Sequence, residues 1–264
     1  MAIESIEIIM SIKTNINTLN EFLLGYKDLK RKKKNQDALI QLKSLPAFLE
    51  KYYQIQERII RQNQDIAPDY NIFEIAKFET LETKLHSPFL KDLLDPDGTH
   101  SQRDLFLKSF FKDIPGLDES ILKSWDFRYL NIINEFSAGG FGNIDIIIRY
   151  NNPANPFFII IENKIYADDQ ELQIMRYYNY AKNILLLKDD QIKIIYLTLQ
   201  GSAPTTFSMP EIEQTRLNKS GVLINISYVK HINLFLGNVI AEIKAPIVKY
   251  TVLQYLKTIK SITI

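Results

Sequence analysis

The sequence predicts an α/β fold with a central mixed sheet flanked by helices, and two segments carry that prediction. Two apolar, β-branched runs at 144–150 and 157–162 are separated by the turn-forming segment NNPANP at 151–156, which is typical of an antiparallel hairpin. A helical pattern at 168–186, with an acidic start, then leads to another apolar run at 192–199. A strand, a helix and a further strand in this order favour a right-handed βαβ crossover.

The rest of the chain is predicted to add two strands and several helices. An earlier strand is predicted at 129–136, and a short later one at 222–226. Further helical patterns occur at 71–94, 102–111, 229–243 and 246–259. From residue 3 to about 63 apolar residues recur at helical spacing, so we predict an N-terminal helical arm or hairpin over 1–66 and the main domain over 67–264.

The arm contains two features of its own. Pro46 is expected to break or begin a helix, because proline lacks the backbone donor that a helix interior needs. The basic run RKKK with its preceding lysine, 30–34, falls near the junction of the two predicted helices. It suits either a solvated helix end or a contact with a phosphate backbone.

Composition excludes several classes of protein. The 264 residues are 46% hydrophobic and 24% charged, which are globular values. The net charge of +1 neither favours nor excludes nucleic acid. The absence of cysteine removes disulfides, thiolate nucleophiles and cysteine-bound zinc, and it favours a cytoplasmic location. No apolar run is long enough for a membrane span, and P-loop, Rossmann and GxSxG motifs are absent.

Two carboxylates and a lysine lie within or directly beside the two apolar runs of the hairpin: Asp145, Glu162 and Lys164. Alternation along a strand places Glu162 and Lys164 on one face and Asn163 on the other. If Asp145 pairs onto the same face, two carboxylates and one ammonium group converge. Such a site suits Mg²⁺, which binds through one or two carboxylates and keeps several waters, and the lysine could orient water or offset charge on a phosphate.

Each of these residues also has a structural interpretation. Asp145 could cap a strand end, and Glu162 with Lys164 could form a charge pair that protects an edge strand. A carboxylate pair is also what a glycosidase uses, although the neighbouring lysine favours phosphate chemistry. Apolar surroundings favour a functional site, because buried unpaired acids are costly.

At these positions the chain resembles the PD-(D/E)xK nuclease superfamily. Asp145, Glu162 and Lys164 occupy the motif positions, although Ile144 stands where the name of the family places proline. The resemblance is closest to a branch with an extended Ile-Glu-Asn-Lys-Ile motif, here 161–165, followed by a helix carrying Gln173 and Tyr177. It covers roughly 71–228, which includes an upstream helical segment with Glu82, His86 and the turn at 92–100.

The resemblance implies a restriction-endonuclease-like core of helix, three strands, helix and strand. It also implies that Asp145 and Glu162 bind the metal and that Gln173 is a catalytic neighbour. Glu82 is a further candidate metal ligand. Glu135 is another candidate ligand, although it could equally be an exposed carboxylate on a strand. Tyr177 could equally be a packing residue, and His86 is more typical of a structural role.

The predicted function is therefore hydrolysis of phosphodiester bonds by a metal-dependent nuclease that acts on DNA, with Mg²⁺ as cofactor and Mn²⁺ able to substitute. The competing hypothesis is a catalytically inactive module with the nuclease fold that binds nucleic acid or a protein partner. The N-terminal helices could support a homodimer in either case. A competent site requires Lys164 on the same face as Glu162.

Overall fold

The computed structural model describes residues 17–27, 37–67 and 69–263. The chain divides into two compact units, Met1–Tyr70 and Asn71–Ile264. In the first unit residues 17–27 form α1 and Asp37–Ile66 forms α2. The prediction that Pro46 breaks or begins a helix is wrong, because it lies inside α2. The basic run at 30–34 falls outside the described residues.

The second unit is built on a five-stranded mixed sheet with the order β1-β2-β3-β4-β5. Its strands are β1 Leu130–Ser137, β2 Asn143–Tyr150, β3 Phe157–Lys164, β4 Ile192–Thr198 and β5 Leu223–Ser227. β1, β2 and β3 pair antiparallel, whereas β4 and β5 continue in parallel. The structure thus confirms the predicted hairpin, the crossover connection and the mixed sheet.

Helices cover both faces of this sheet. They are α3 Ile72–Ile75, α4 Ser87–Leu94, α5 Leu105–Asp113, α6 Gln173–Asn179, α7 Glu211–Lys219, α8 Asn233–Val239 and α9 Pro246–Thr263. One apolar core lies between the sheet and α4, α5, α8 and α9, and the second lies between the sheet and α6 and α7. β3 is buried along its whole length because it is central and covered on both sides.

Two predicted helices are shorter in the structure. The helix predicted at 71–94 is divided, because Lys77 has a φ of +56°, which a continuous helix cannot contain. α3 therefore ends at Ile75, and a single π-helical turn, Glu82–His86, leads into α4. The helix predicted from 168 begins only at Gln173, and Leu172 before it has a φ of +48°.

In the described parts of the chain, 17–27, 37–67 and 69–263, no helix has the length and apolarity needed to cross a membrane.

Candidate active site

The pleat of β2 is interrupted at Asp145. Residues two apart in a regular strand share a face, yet Ile144 and Ile146 pack into opposite cores. Ile144 pairs with Phe136 and Ile146 with Asn134, so Glu135 lies across from Asp145. Glu135 has a φ of +53°, a conformation that is uncommon outside glycine. The distortion thus coincides with the position of the candidate aspartate.

The carboxylate of Asp145 reaches the neighbouring strand β3. Its Oδ2 accepts a hydrogen bond of 2.7 Å from the backbone N–H of Asn163. This places the aspartate beside the Glu162 to Lys164 segment, in the part of β3 that extends beyond the last β2–β3 pair, Ile146 with Ile161. The structure therefore brings the residues of the predicted motif together at one end of the sheet.

Glu162 and Lys164 project to the same face, as strand alternation predicts. The ammonium Nζ of Lys164 lies 3.1 Å from Oε1 of Glu162 and donates at 3.2 Å to the backbone carbonyl of Asp168. Asn163 points to the opposite face, where its side chain contacts Ser87 and Tyr228. The requirement that Lys164 share the face of Glu162 is met.

Gln173, the first residue of α6, forms a hydrogen bond with the side chain of Glu162. Its Nε2 donates to Oε1 of Glu162 at 2.7 Å and to the hydroxyl of Tyr177 at 3.1 Å. The Tyr177 hydroxyl in turn donates to the carbonyl of Asn143 at the start of β2. One helical turn thus connects the two strands that carry the acidic residues, because positions four apart lie on one face of a helix.

One carboxylate oxygen of Glu162 lacks a partner. The residue is 2% exposed, and its Oε2 receives no hydrogen bond within the part of the chain that the structure describes. A buried carboxylate normally has all its oxygens satisfied, since leaving one bare costs free energy. This oxygen is therefore the clearest sign that a ligand belongs at the site.

Burial dominates the electrostatics of both acids. Desolvation raises the pKa of Glu162 to about 8, with a further increase from Asp145 and a partial offset from Lys164. Desolvation also raises the pKa of Asp145 to about 6, against the lowering effects of the Asn163 N–H and Lys164. Two acids that are hard to ionise side by side favour a bound cation, which would stabilise both in their charged forms.

The two other predicted acids lie near the pair but in different roles. Oε1 of Glu82 accepts the backbone N–H groups of Ile165, Tyr166 and Ala167 directly after β3, the last two at 2.8 and 3.0 Å. It therefore shapes the chain directly after Lys164. Glu135 is exposed in β1. Within the described residues no three His, Cys, Asp or Glu side chains form a metal-binding group.

Sequence reasoning missed Asp169 as an organiser of the site. Its Oδ1 accepts from the Tyr196 hydroxyl at 2.8 Å, and its Oδ2 accepts from the backbone and hydroxyl of Thr205 at 2.8 Å. These bonds fix the loop between β3 and α6 against β4 and the loop that follows β4. The sequence predicts a helix start at the acidic pair 168–169, and no local signal identifies partners so distant in sequence.

The two histidines of the upstream segment have structural partners. Nδ1 of His86 lies 2.8 Å from the Tyr255 hydroxyl, and its Nε2 lies 2.9 Å from the carbonyl of Glu79. Burial lowers the pKa of His86, which favours the neutral ring. His100 bonds within its own loop, to the carbonyl of Asp95 and the N–H of Gln102. Neither ring lies among the contacts of the carboxylate pair.

Comparison with known protein families agrees with this geometry. A model of the PD-(D/E)XK nuclease superfamily matches residues 70–262, which is most of the chain. The chain belongs to the PD-(D/E)XK nuclease superfamily. Its members are nucleases that hydrolyse phosphodiester bonds, typically with divalent metals, and this membership implies a nucleic-acid substrate. Neither the curated proteins nor the solved structures contain a significant match.

Proposed function

We propose that this protein is a Mg²⁺-dependent nuclease that cleaves DNA at the site formed by Asp145, Glu162 and Lys164. The observation that supports this most strongly is the unpartnered Oε2 of Glu162, buried beside a second carboxylate and an ammonium group. Burying these charged groups with an unsatisfied oxygen lowers the stability of the fold, so the arrangement favours a functional site over a purely structural one.

The donor set fits a hard divalent cation. Asp145 and Glu162 supply carboxylate oxygens, the ligands that Mg²⁺ prefers, and the small number of protein ligands leaves positions for water and phosphate oxygens. Mn²⁺ suits the same oxygen ligands. We propose Glu82 and Glu135 as outer acidic groups that strengthen the negative potential, since both act on the pKa of Asp145 through charge. A bound cation supplies Lewis-acid activation of water and neutralises charge on the phosphate.

The protein's own side chains have distinct proposed roles. Asp145 and Glu162 hold the ion, and Lys164 orients the attacking water and offsets negative charge that develops on the phosphate. Gln173 fixes Glu162 through the 2.7 Å bond, so that the unpartnered oxygen keeps one direction. Tyr177 fixes Gln173 and β2 together and is a positioning residue.

The test compares cleavage of plasmid DNA and of labelled DNA and RNA oligonucleotides with Mg²⁺ or Mn²⁺. We expect Asp145→Ala and Lys164→Ala each to lower the rate at least about 100-fold. Lys123→Ala removes an exposed lysine before β1 and serves as the matched control. Undiminished cleavage by both site variants would sink the assignment. Tight DNA binding without cleavage by the wild type would favour the inactive binding module instead.

A separate measurement tests the metal ligands without relying on catalysis. Mg²⁺ or Mn²⁺ should raise the melting temperature of the wild type, because an ion that binds only the folded state stabilises it. Glu162→Gln should abolish most of that increase. An equal increase in the variant would show that the ion binds elsewhere.

Assembly and location remain proposals. A homodimer through the N-terminal helices is supported by the exposed apolar side chains of that unit, among them Tyr53, Ile55 and Ile60 on α2. Light scattering of the full chain and of a variant lacking 1–66 tests it: a change from dimer to monomer is the expected result. A cytoplasmic location is proposed from the composition alone.

A further inference from the structure

Arg176 on α6 has no acidic partner in the described parts of the chain. Its Nη2 donates to the side-chain oxygen of Gln170 at 3.1 Å. Its Nε is buried and lacks an acceptor among the described residues, and no ion pair in that part of the chain includes it. Two other arginines of the domain do have acidic partners: Arg128 pairs with Asp126, and Arg216 pairs with Glu213. The guanidinium group of Arg176 thus has unused hydrogen-bonding capacity.

The position of Arg176 relates it directly to the acidic site. It follows Gln173 by three residues and precedes Tyr177 on α6, and both of those side chains belong to the hydrogen-bonded chain around Glu162. The guanidinium lies against Gly142, the residue before β2. A Cβ added to Gly142 would stand 3.6 Å from Nη1 and 3.8 Å from Cζ of Arg176. Arg176 therefore lies beside the start of the strand that carries Asp145.

The loop beside Arg176, residues 139–142, is rich in glycine. Gly142 has a φ of +107°, a conformation that favours glycine. At Gly139 and Gly140 an added Cβ would meet no atom within 4 Å. Arg176 is itself only half-buried, so part of its side chain is accessible to a ligand.

The charges around the site explain why such a cation is needed. Asp145, Glu162, Glu82 and Glu135 all carry carboxylates, which repel a polyanionic backbone. Lys164, which lies beside these carboxylates, is already engaged by Glu162 at 3.1 Å. A planar guanidinium can donate two parallel hydrogen bonds to a phosphate, and desolvation strengthens such bonds.

We propose that Arg176 binds a backbone phosphate of the DNA next to the phosphodiester that is cleaved. This inference rests on the proposed function, because it assumes that nucleic acid occupies the site. Arg176 holds the strand in place, while Asp145, Glu162 and Lys164 carry out the chemistry. Its contribution is therefore to affinity and to alignment of the strand.

The experiment measures binding of a short fluorescein-labelled DNA duplex, and of one of its single strands, to the full chain by fluorescence anisotropy. EDTA is present, so that metal-dependent cleavage does not occur. Affinity is measured as salt rises from about 50 to 200 mM, because each neutralised phosphate contributes about 0.9 to the slope of log K against log salt for duplex DNA and about 0.7 for a single strand.

We expect Arg176→Gln to raise the Kd about tenfold at low salt and to reduce that slope by the amount for one phosphate contact. Arg176→Lys should keep most of the slope and lose part of the affinity, since a point charge replaces the two-pronged donor. Arg128→Gln is the matched control: it makes the same substitution at an exposed arginine and should change the Kd by less than about twofold.

An unchanged slope in Arg176→Gln, an equal loss in Arg128→Gln, or no binding by the wild type would overturn the inference. Failure of the proposed function gives a different result. If Lys164→Ala abolishes cleavage while Arg176→Gln keeps the full slope, only the role of Arg176 is wrong. If Arg176→Gln loses the slope while Asp145→Ala and Lys164→Ala still cleave, the phosphate contact stands and the catalytic assignment is wrong.

Discussion

The two faces of β3 near its end bury polar side chains in contrasting ways. On one face Asn163 donates from Nδ2 to Ser87 at 3.1 Å and accepts at Oδ1 from Tyr228 at 3.0 Å. On the other face Glu162 is equally buried, yet its Oε2 has no partner among the described residues. Asn163 is 1% exposed and Glu162 2%, so burial alone does not separate them.

The difference lies in how completely the hydrogen bonds are satisfied. A buried polar group whose bonds are complete stabilises and specifies the fold, whereas an incomplete one lowers stability unless a ligand completes it. We therefore assign the Asn163 face to structure and the Glu162 face to function. Variants on the two faces should change different observables.

The largest expected effect comes from Glu162→Gln. The substitution keeps the size of the side chain and removes its charge, so we expect loss of cleavage by about 1000-fold or more, equivalent to about 4 kcal/mol. The folded state should persist, as judged by circular dichroism. Glu211→Gln, an exposed residue at the start of α7, is the matched control and should cleave normally.

The second effect is a pH dependence of stability in the metal-free protein. The pKa of Glu162 rises from 4.5 to about 8 on folding, so the folded state holds its proton more tightly. This contribution to stability is therefore full below pH 4.5 and is lost as pH rises from there through 8, at up to about 1.4 kcal/mol per pH unit. Urea unfolding at several pH values measures this decline. Glu162→Gln should flatten the part of the decline above pH 6, because Asp145, whose pKa is raised to about 6, contributes below it. A decline of equal size above pH 6 in that variant would contradict the assignment of the titrating group.

The third effect belongs to the structural face. Asn163→Ala leaves the buried hydroxyls of Tyr228 and Ser87 without this partner, so the free energy of unfolding should fall by about 2 kcal/mol. The backbone N–H that Asp145 accepts is retained in the variant. Cleavage per folded molecule should consequently stay within a few-fold of the wild type. Urea titration measures the free energy of unfolding, and an active-fraction assay at low temperature measures cleavage per folded molecule. A catalytic loss as large as that of Glu162→Gln would contradict the distinction between the two faces.

The smallest expected effect is that of Tyr177→Phe. The variant removes a hydroxyl that accepts from Gln173 and donates to Asn143, so Glu162 loses part of its support. We expect kcat to fall about fivefold, equivalent to about 1 kcal/mol, with KM nearly unchanged. Steady-state kinetics separate the two constants. A rise in KM alone would indicate that Tyr177 contacts the substrate.

The core of the fold could be predicted because its signals are local. Apolar runs 144–150 and 157–162 with a turn-forming segment between them determine a hairpin from their own composition. The helix boundaries could not be predicted so well. The helix predicted from 168 begins only at Gln173, and before it the side chain of Asp169 is bound by Tyr196 and Thr205, which are distant in sequence.

The sequence by itself determined which side chains share a face of β3, since alternation follows from the geometry of a single strand. It thereby determined that Glu162 and Lys164 point one way and Asn163 the other. Only the tertiary structure decided what each face meets: Gln173 from α6 on one side, and Ser87 and Tyr228 on the other. Contacts of this kind depend on how distant segments pack, and no periodicity within a segment encodes them.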